Sequence, residues 1–445
     1  MIKKVNGQSA SKDLEIPELL ALDENSRKGV HIHGMIYNVR DMGDFAFVIL
    51  RKRDGLIQCF YNKNGSEEEK ELLKEENSVS IVGDLRDEPR AVNGVEVVIS
   101  EMKVLSTPAA EMPFAINKRN LNISIENELP IRPITLRNER RRTVFRLQAA
   151  IVRAFREYLD QNGFTEIFSP KIVAAGAEGG ANIFKLEYFG KKAYLAQSPQ
   201  FYKQMLIPVY ERVFEIAPVF RAEKHETVRH LNEYIGVDFE MGFIDSFYDI
   251  INMETGMLKF AFDYLKENYA DCIQKLNIEL PVIDEIPCVK FKDAKEMIAA
   301  KYNRKIKDPY DLEPEEERLI SELFKEEYNS DFVFVTHYPI KKRPFYAMDD
   351  PESEKYTLSF DLLFKGMEIT TGGQRIHDYQ TQIDKMVSKG LDPADFESYL
   401  MLHKQGCPPH GGLGMGLERF VMKLIDEKNI RATSMFPRDI TRLNP

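Results

Sequence analysis

Two neighbouring stretches decide the fold: Arg212-Val-Phe-Glu-Ile-Ala-Pro-Val-Phe-Arg-Ala-Glu223 and Arg229-His-Leu-Asn-Glu-Tyr-Ile-Gly-Val-Asp-Phe-Glu-Met-Gly-Phe243. In the second, Val237, Phe239, Met241 and Phe243 alternate with Asp238, Glu240 and Gly242, the period of a half-buried strand. Arg221 and Glu223 are two apart and share a face by the same rule. The polar loop from Lys224 to His230 then joins two strands into an antiparallel hairpin with one apolar and one functional face.

Further along lies Asp361-Leu-Leu-Phe-Lys-Gly-Met-Glu368. If Phe364 to Gly366 makes a hairpin turn, Asp361 and Glu368 stand nearly opposite each other and can chelate one hard cation. Nearer the C-terminus runs Gly411-Gly-Leu-Gly-Met-Gly-Leu-Glu-Arg419. The planar guanidinium forks of Arg221 and Arg419 match phosphate oxygens. Taken singly each feature is ordinary: an arginine after an apolar run is usually a surface ion pair, and a glycine-rich run before a helix is usually a turn. Their joint occurrence is what carries the reading.

The N-terminal part reads differently. Val30 to Tyr37, Phe45 to Leu50, Leu56 to Tyr61, Val79 to Gly83 and Val95 to Ile99 are short strand-like runs, with the hairpin dipeptide Asp54-Gly55 between two of them. Five such strands suit a small OB-type barrel, a fold whose sheet face binds single-stranded nucleic acid. Residues 1–106 are therefore expected to form this barrel, 107–133 a hinge rich in Pro, Asn and charge, and 134–445 a second domain. That domain opens on Val144 to Leu159, where Leu147, Ile151, Ala154, Phe155 and Tyr158 share one helical face, and continues through Asn162-Gly163 into the strand-like Phe164 to Ser169, closed by Pro170. The stretches Phe247 to Tyr264 and Glu315 to Glu327 read as amphipathic helices without visible chemistry, and Phe332 to Thr336 as a strand.

A chain of 445 residues accommodates two or three domains. No run of about 20 apolar residues could span a bilayer, and the polar residues after Met1-Ile-Lys-Lys4 argue against a signal core, so a cytoplasmic location is expected. Cys59, Cys272, Cys288 and Cys407 show neither disulfide-framework nor zinc spacing. The net charge of −10 argues against a nonspecific nucleic-acid coat while allowing a local basic face.

Arg212 to Glu223 with Arg229 to Glu233, and Gly411 to Arg419, together resemble motifs 2 and 3 of the class II aminoacyl-tRNA synthetases, and Phe164 to Pro170 resembles motif 1, which builds their homodimer interface. Ile369-Thr-Thr-Gly-Gly-Gln-Arg-Ile-His377 narrows the resemblance to the aspartyl and asparaginyl subgroup, and Gln197-Ser-Pro-Gln-Phe-Tyr-Lys203 is similar to the amino-acid pocket of the aspartyl enzymes. The resemblance implies an α+β chain, an OB-fold barrel followed by the class II antiparallel sheet flanked by helices. The short interval from Glu240 to Asp361 fits the archaeal and eukaryotic type.

The same resemblance implies roles. ATP would be held by Arg221 on the α-phosphate, Glu223, Arg229, His230, Leu231, Tyr234 stacking on adenine, Glu368, Gly416 and Arg419, with Arg221 and Arg419 catalytic. Magnesium would be held by Asp361, Glu368 and Thr371. L-Aspartate would be bound by Glu178 on a closing loop, by Gln200 and Asp238 at its ammonium, by Lys203 and Arg375 at its side-chain carboxylate, and by Thr371. Lys203 favours aspartate over asparagine, because an ammonium offers no acceptor to an amide. Arg40, Phe47, Gln58 and Glu96 would read the anticodon of the aspartate tRNA, whether or not the asparagine tRNA is charged too. Asparaginyl-tRNA synthetase is the nearest alternative, and the barrel argues against a tRNA-independent asparagine synthetase.

Overall fold

The computed structural model describes residues 13–66, 68–174, 182–224 and 227–444, and it divides into two compact units between Leu121 and Asn122. In the first unit, strands β1 (Val30–Asp41), β2 (Phe45–Arg51), β3 (Leu56–Asn62), β4 (Ser78–Asp87) and β5 (Val95–Ser106) close a barrel in the order β1-β2-β3-β5-β4. Alternation decides what faces inward: Val48, Leu50, Ile57, Cys59, Ile81 and Val97 fill the interior. Closure leaves no open sheet edge, which suits strands this apolar. All five strands coincide with the runs expected from sequence.

The second unit begins with short helices at Ile125–Glu128, inside the 107–133 segment expected as a hinge, and Arg132–Thr135, across its end. Arg132 there is fully buried, and its guanidinium donates to the carbonyls of Met435 and Ser434 at 2.9 Å each. The unit's strands are β6 (Thr165–Glu166), β7 (Ile172–Val173), β8 (Lys185–Tyr188), β9 (Lys191–Leu195), β10 (Arg212–Phe220), β11 (Glu233–Gly242), β12 (Cys288–Lys290), β13 (Phe332–Thr336), β14 (Ser359–Phe364), β15 (Met367–Arg375) and β16 (His410–Gly416). Eight of them form one sheet, ordered β12-β13-β14-β15-β16-β11-β10-β6, antiparallel except for its two end pairs. Helices Glu139–Gln161 and Tyr248–Asn268 cover one face, where Leu147, Ile151, Phe155, Leu258 and Phe262 join Phe239, Leu413 and Phe360 in one core.

One sequence expectation needs correction. The strand containing Val237 to Gly242 is not half-buried: every residue from Gly236 to Gly242 is buried, because the polar side chains of Asp238 and Glu240 are enclosed in a charge cluster instead of facing water. The run from Gly411 to Gly416 is a central strand, and its glycines exist for close approach. A Cβ at Gly414 would come within 2.9 Å of the Asp238 carboxylate, and one at Gly236 within 2.8 Å.

Among the core side chains is Glu254, fully buried on the helix Tyr248–Asn268. Burial pushes its carboxyl up to about 8, with the Thr370 hydroxyl as a weak opposing influence. The folded chain therefore keeps a proton that the unfolded chain loses above the ordinary carboxyl range, so folding stability falls as pH rises toward 8. Glu254→Gln removes this dependence. Its stability advantage over the wild type should widen by about 1 kcal/mol per pH unit between pH 5 and 8 in urea titrations; a pH-independent difference would contradict the assignment.

Candidate functional site

Register sets the site. Asp361 of β14 pairs with Thr371 of β15, Thr371 with Gly414 of β16, Gly414 with Asp238 of β11, and Asp238 with Glu215 of β10. This row crosses five strands on the sheet face opposite the two long helices. Beside it runs a second row, Gly373, Gly412 and Glu240. Since the glycines have no side chain, the middle of the face is a trough between carboxylates, and the cavity over it is lined by Gln200, Arg221, Tyr234, Asp238, Arg343, Glu368, Thr371, Arg375 and Arg419 among others.

At one end lies a buried charge cluster. Lys203, on the helix Gln200–Met205, places Nζ 3.1 Å from Asp238 Oδ1, 3.3 Å from Glu240 Oε2 and 2.7 Å from the Leu413 carbonyl. Arg375 donates from Nε to Glu240 Oε1 at 2.9 Å and from a terminal nitrogen to the Gly412 carbonyl at 2.8 Å. All four side chains are nearly inaccessible, with Lys203 and Glu240 at 1% and 0% exposure. Burial alone would raise both carboxyls; for Glu240 the attraction of Arg375 and Lys203 outweighs it and holds the group below its ordinary range. For Asp238 burial wins over Lys203, and its affinity for protons is raised. Lys203 and Arg375, expected to supply two cations to a substrate carboxylate, are engaged within the protein by Asp238 and by Glu240, to which sequence reasoning gave no role. Two carboxylates at positions i and i+2 of one strand were the available signal.

The other end is built from arginines and the remaining carboxylates. Arg221 lies just beyond β10, its guanidinium 6.0 Å from the centre of the Tyr234 ring. Glu223 also falls past the strand end, in the loop instead of on the strand face, 3.6 Å from His230 Nε2. Burial lowers the His230 pKa. Arg419 donates to the Glu368 carbonyl at 3.2 Å and to the Arg229 carbonyl at 3.4 Å, in the first turn of the helix that Gly416 caps. Leu231 is buried beneath. Glu418 accepts the Ile235 N–H with both carboxylate oxygens, at 3.2 and 3.1 Å, which ties this helix to β11.

The tight turn between β14 and β15 is Lys365-Gly366, both at positive φ, while Phe364, expected within the turn, ends β14 and pairs with Met367. The turn sets Glu368 opposite Leu363, and a bulge at Leu362/Leu363 then shifts the register by one, so Asp361 stands opposite Thr371. The direct cross-strand pairing of Asp361 with Glu368 is thereby corrected, yet the Thr371 hydroxyl donates to Glu368 at 2.9 Å and also favours the charged form of Asp361, so the three groups do converge. Burial pushes Asp361 up to about 6, against Arg343, whose terminal nitrogen is 2.8 Å from Oδ1. Among the described residues no group of three His, Cys, Asp or Glu could hold a metal ion. Two oxygen-donor carboxylates fit a hard cation that takes its other ligands from phosphate and water.

The interval read as free of chemistry supplies two members. Arg343 engages Asp361, and Glu317, buried on the helix Pro314–Tyr328, pairs with Arg229 and accepts the Glu368 N–H at 3.1 Å. A long-range pairing of this kind leaves no local sequence signature. Glu178 lies outside the described residues.

On the barrel, Arg40, Phe47 and Phe60 lie directly across neighbouring strands, and Phe47 is half-buried in an edge-to-face contact with Phe45 at 5.4 Å. Phe47 is thus on the outer surface and not in the barrel core. Gln58 donates to Glu96 at 2.8 Å; Glu96 is fully buried and also bound by Arg86.

Comparison with known proteins places this geometry. Residues 124–440 match the family described as tRNA synthetases class II (D, K and N), and residues 30–105 match the OB-fold nucleic acid binding domain. An Aspartate--tRNA(Asp/Asn) ligase from Aeropyrum pernix is 43% identical over 98% of this chain and 100% of its own length. A ligase of the same name from Deinococcus radiodurans is 42% identical over 95% of this chain and 97% of its own. Among solved structures, asparaginyl-tRNA synthetase from Pyrococcus horikoshii complexed with asparaginyl-adenylate superposes with a TM-score of 0.88 at 29% identity, covering 97% of this chain and 99% of that one. The chain belongs to the class II tRNA synthetases. Enzymes of this class use ATP, typically with magnesium. No helix among the described residues is long and apolar enough to cross a membrane.

The buried cluster makes a direct prediction. Lys203→Met strips Asp238 of the cation beside it and leaves Glu240 with Arg375 alone, and removing one partner from such a network costs about 3 kcal/mol or more. The variant should lose roughly that stability in equilibrium unfolding, and a change below about 0.5 kcal/mol, the range of surface substitutions, would show that the cluster is solvated.

Proposed function

We propose that this chain is an aspartate–tRNA ligase. It activates L-aspartate with ATP to aspartyl-adenylate and pyrophosphate, then transfers the aspartyl group to the 3′ end of tRNA. The single observation carrying the choice of amino acid is the buried set Lys203, Asp238, Glu240 and Arg375, of which Asp238 and Arg375 line the cavity that Arg221 and Arg419 also line.

Substrate entry is an exchange of partners. The ammonium of aspartate replaces the Lys203 ammonium at Asp238, joined by Gln200, and Lys203 then turns a donor toward the side-chain carboxylate, which Arg375 also attracts. The incoming ammonium and side-chain carboxylate cancel within the buried set, so neither charge is stranded there without a partner. Asparagine offers a neutral amide to the same cations and leaves Lys203 without the anion that replaces Asp238. Thr371 lies on the row that crosses the sheet and orients the α-carboxylate, while Glu178 would contribute a carboxylate toward the substrate.

Tyr234 stacks on adenine, with Glu223, Leu231 and Gly416 completing the nucleoside site. Arg221 grips the α-phosphate; Arg229, His230 and Arg419 engage the outer phosphates. Asp361, Glu368 and Thr371 would hold magnesium, which when bound neutralises phosphate charge. The α-carboxylate attacks the α-phosphorus in line, and the 3′-terminal ribose hydroxyl of tRNA then attacks the acyl carbon and releases AMP. Positioning and fixed positive charge supply the acceleration, so no side-chain nucleophile is needed.

Residues 1–106 serve as the anticodon-binding domain, with Phe47 as a stacking platform, Arg40 as a cation, and Gln58 at a base edge, oriented from beneath by the buried Glu96; 107–133 links it to the catalytic part, 134–445. The names of the two relatives favour acceptance of tRNA(Asn) as well as tRNA(Asp). The chain acts as a cytoplasmic homodimer through the edge of the large sheet, where Phe168 beside β6 is 84% exposed and Val209 and Tyr210 before β10 are exposed as well.

Two tests follow. Arg221→Ala should reduce charging of purified tRNA(Asp) with labelled aspartate by at least a hundredfold while the fold, followed by circular dichroism, is retained; near-wild-type charging removes Arg221 from the phosphate site. Phe168→Asp should convert a dimer into a monomer in sedimentation velocity, and an unchanged sedimentation coefficient would place the interface elsewhere.

A further inference from the structure

Behind Gln200 the cavity wall conceals a chain of hydrogen bonds whose polarity is fixed from its far end. That end is the Pro408 carbonyl, which can only accept. His410 Nδ1 lies 3.0 Å from it and therefore carries a proton. The Cys407 thiol beside the same nitrogen turns toward the Pro408 oxygen at 3.4 Å, and burial keeps it protonated by pushing it up to about 12. His410 is fully buried, and burial drops its pKa to about 4, with the attraction of Glu240 opposed by the repulsion of Arg375 and His403, so the ring is neutral.

A neutral ring protonated at Nδ1 has a bare Nε2 that must accept. The group facing Nε2, at 2.9 Å, is the side-chain amide of Gln204, which thus presents its nitrogen. Gln204 Oε1 is left to accept, and it does so from the Tyr399 hydroxyl at 3.3 Å and from Gln200 Nε2 at 2.9 Å. Gln204 and Tyr399 are buried at 0% and 1% exposure, so no solvent competes for these bonds. The amide nitrogen of Gln200 is committed to the wall, and its carbonyl oxygen is the end left for the cavity it lines.

We propose that His410 and Gln204 are positioning residues that lock the Gln200 amide with its oxygen toward the cavity, so that this wall accepts a primary ammonium and rejects a ligand lacking one. The inference rests on the aspartate reading for the identity of the ammonium, while the relay itself does not. Inverting Gln200 would set its oxygen against Gln204 Oε1, and inverting Gln204 as well would set an amide oxygen against the bare Nε2 of His410, an unmatched pair of acceptors in a dry environment in either case. Selectivity for the ammonium is therefore set about two side chains behind the surface that touches it.

Two measurements on the full-length protein test this. The first is 15N nuclear magnetic resonance of histidine-labelled protein, with the His410 signals assigned by their loss in His410→Gln. The expected signature is a neutral Nδ1–H tautomer unchanged from pH 5.5 to 8; an Nε2–H tautomer or titration in that range overturns the relay. The second is calorimetric binding of aspartate and of succinate, which keeps both carboxylates and lacks the ammonium. In Gln204→Leu, preference for aspartate over succinate should fall at least tenfold while succinate affinity stays within twofold. Equal loss of both ligands overturns the proposal in favour of a merely structural role. If wild-type protein binds neither ligand, with the Nδ1–H signature intact, the aspartate reading has failed and the relay stands.

Discussion

The interaction on which the site depends is the enclosure of two carboxylates and two cations in one dry pocket. Asp238 and Glu240 project from a central strand, Lys203 reaches them from the helix Gln200–Met205, and Arg375 from β15. Charges at such depth are tolerated only when each is paired and its remaining hydrogen-bonding capacity is filled, and the Leu413 and Gly412 carbonyls complete that requirement. The cluster holds β11, β15, β16 and the helix in one geometry before any substrate arrives. Preorganisation of this kind is what a reaction without a side-chain nucleophile needs.

The glycines make the enclosure possible. Gly412 and Gly414 pair with Glu240 and Asp238 across the ladder, and a side chain at either would collide with the carboxylate beside it. The apolar partners on the same strands, Leu413, Met415, Val237 and Phe239, point the other way into the core under the two long helices. One strand pair thus anchors the fold with one set of side chains and leaves the reacting face open with the other. Glu418 and Glu317 extend the same logic to the phosphate end, each tying a helix to a backbone N–H at the site's rim.

Much of this was legible in the sequence because it is local. The barrel strands, the hairpin of β10 and β11, the Lys365-Gly366 turn and the apolar face of the helix Glu139–Gln161 follow from periodicity and turn chemistry. What escaped is non-local. Asp361 and Glu368 were misregistered because the turn is two residues long and sets Glu368 opposite Leu363, and the bulge that then places Asp361 opposite Thr371 has no marker in its residues. Glu240 looked like a solvent-facing strand residue until the strand proved central. Glu317 and His410 acquire meaning only through partners 88 and 206 positions away, Arg229 and Gln204.

The central claim is that the buried charge set selects an anionic side chain. Its most direct measurement is ATP–pyrophosphate exchange by the purified protein, comparing kcat/KM for aspartate and asparagine. A preference for aspartate on the order of 10⁴-fold is predicted, because the cations have no acceptor to offer an amide. Equal rates, or a preference for asparagine, would contradict the account.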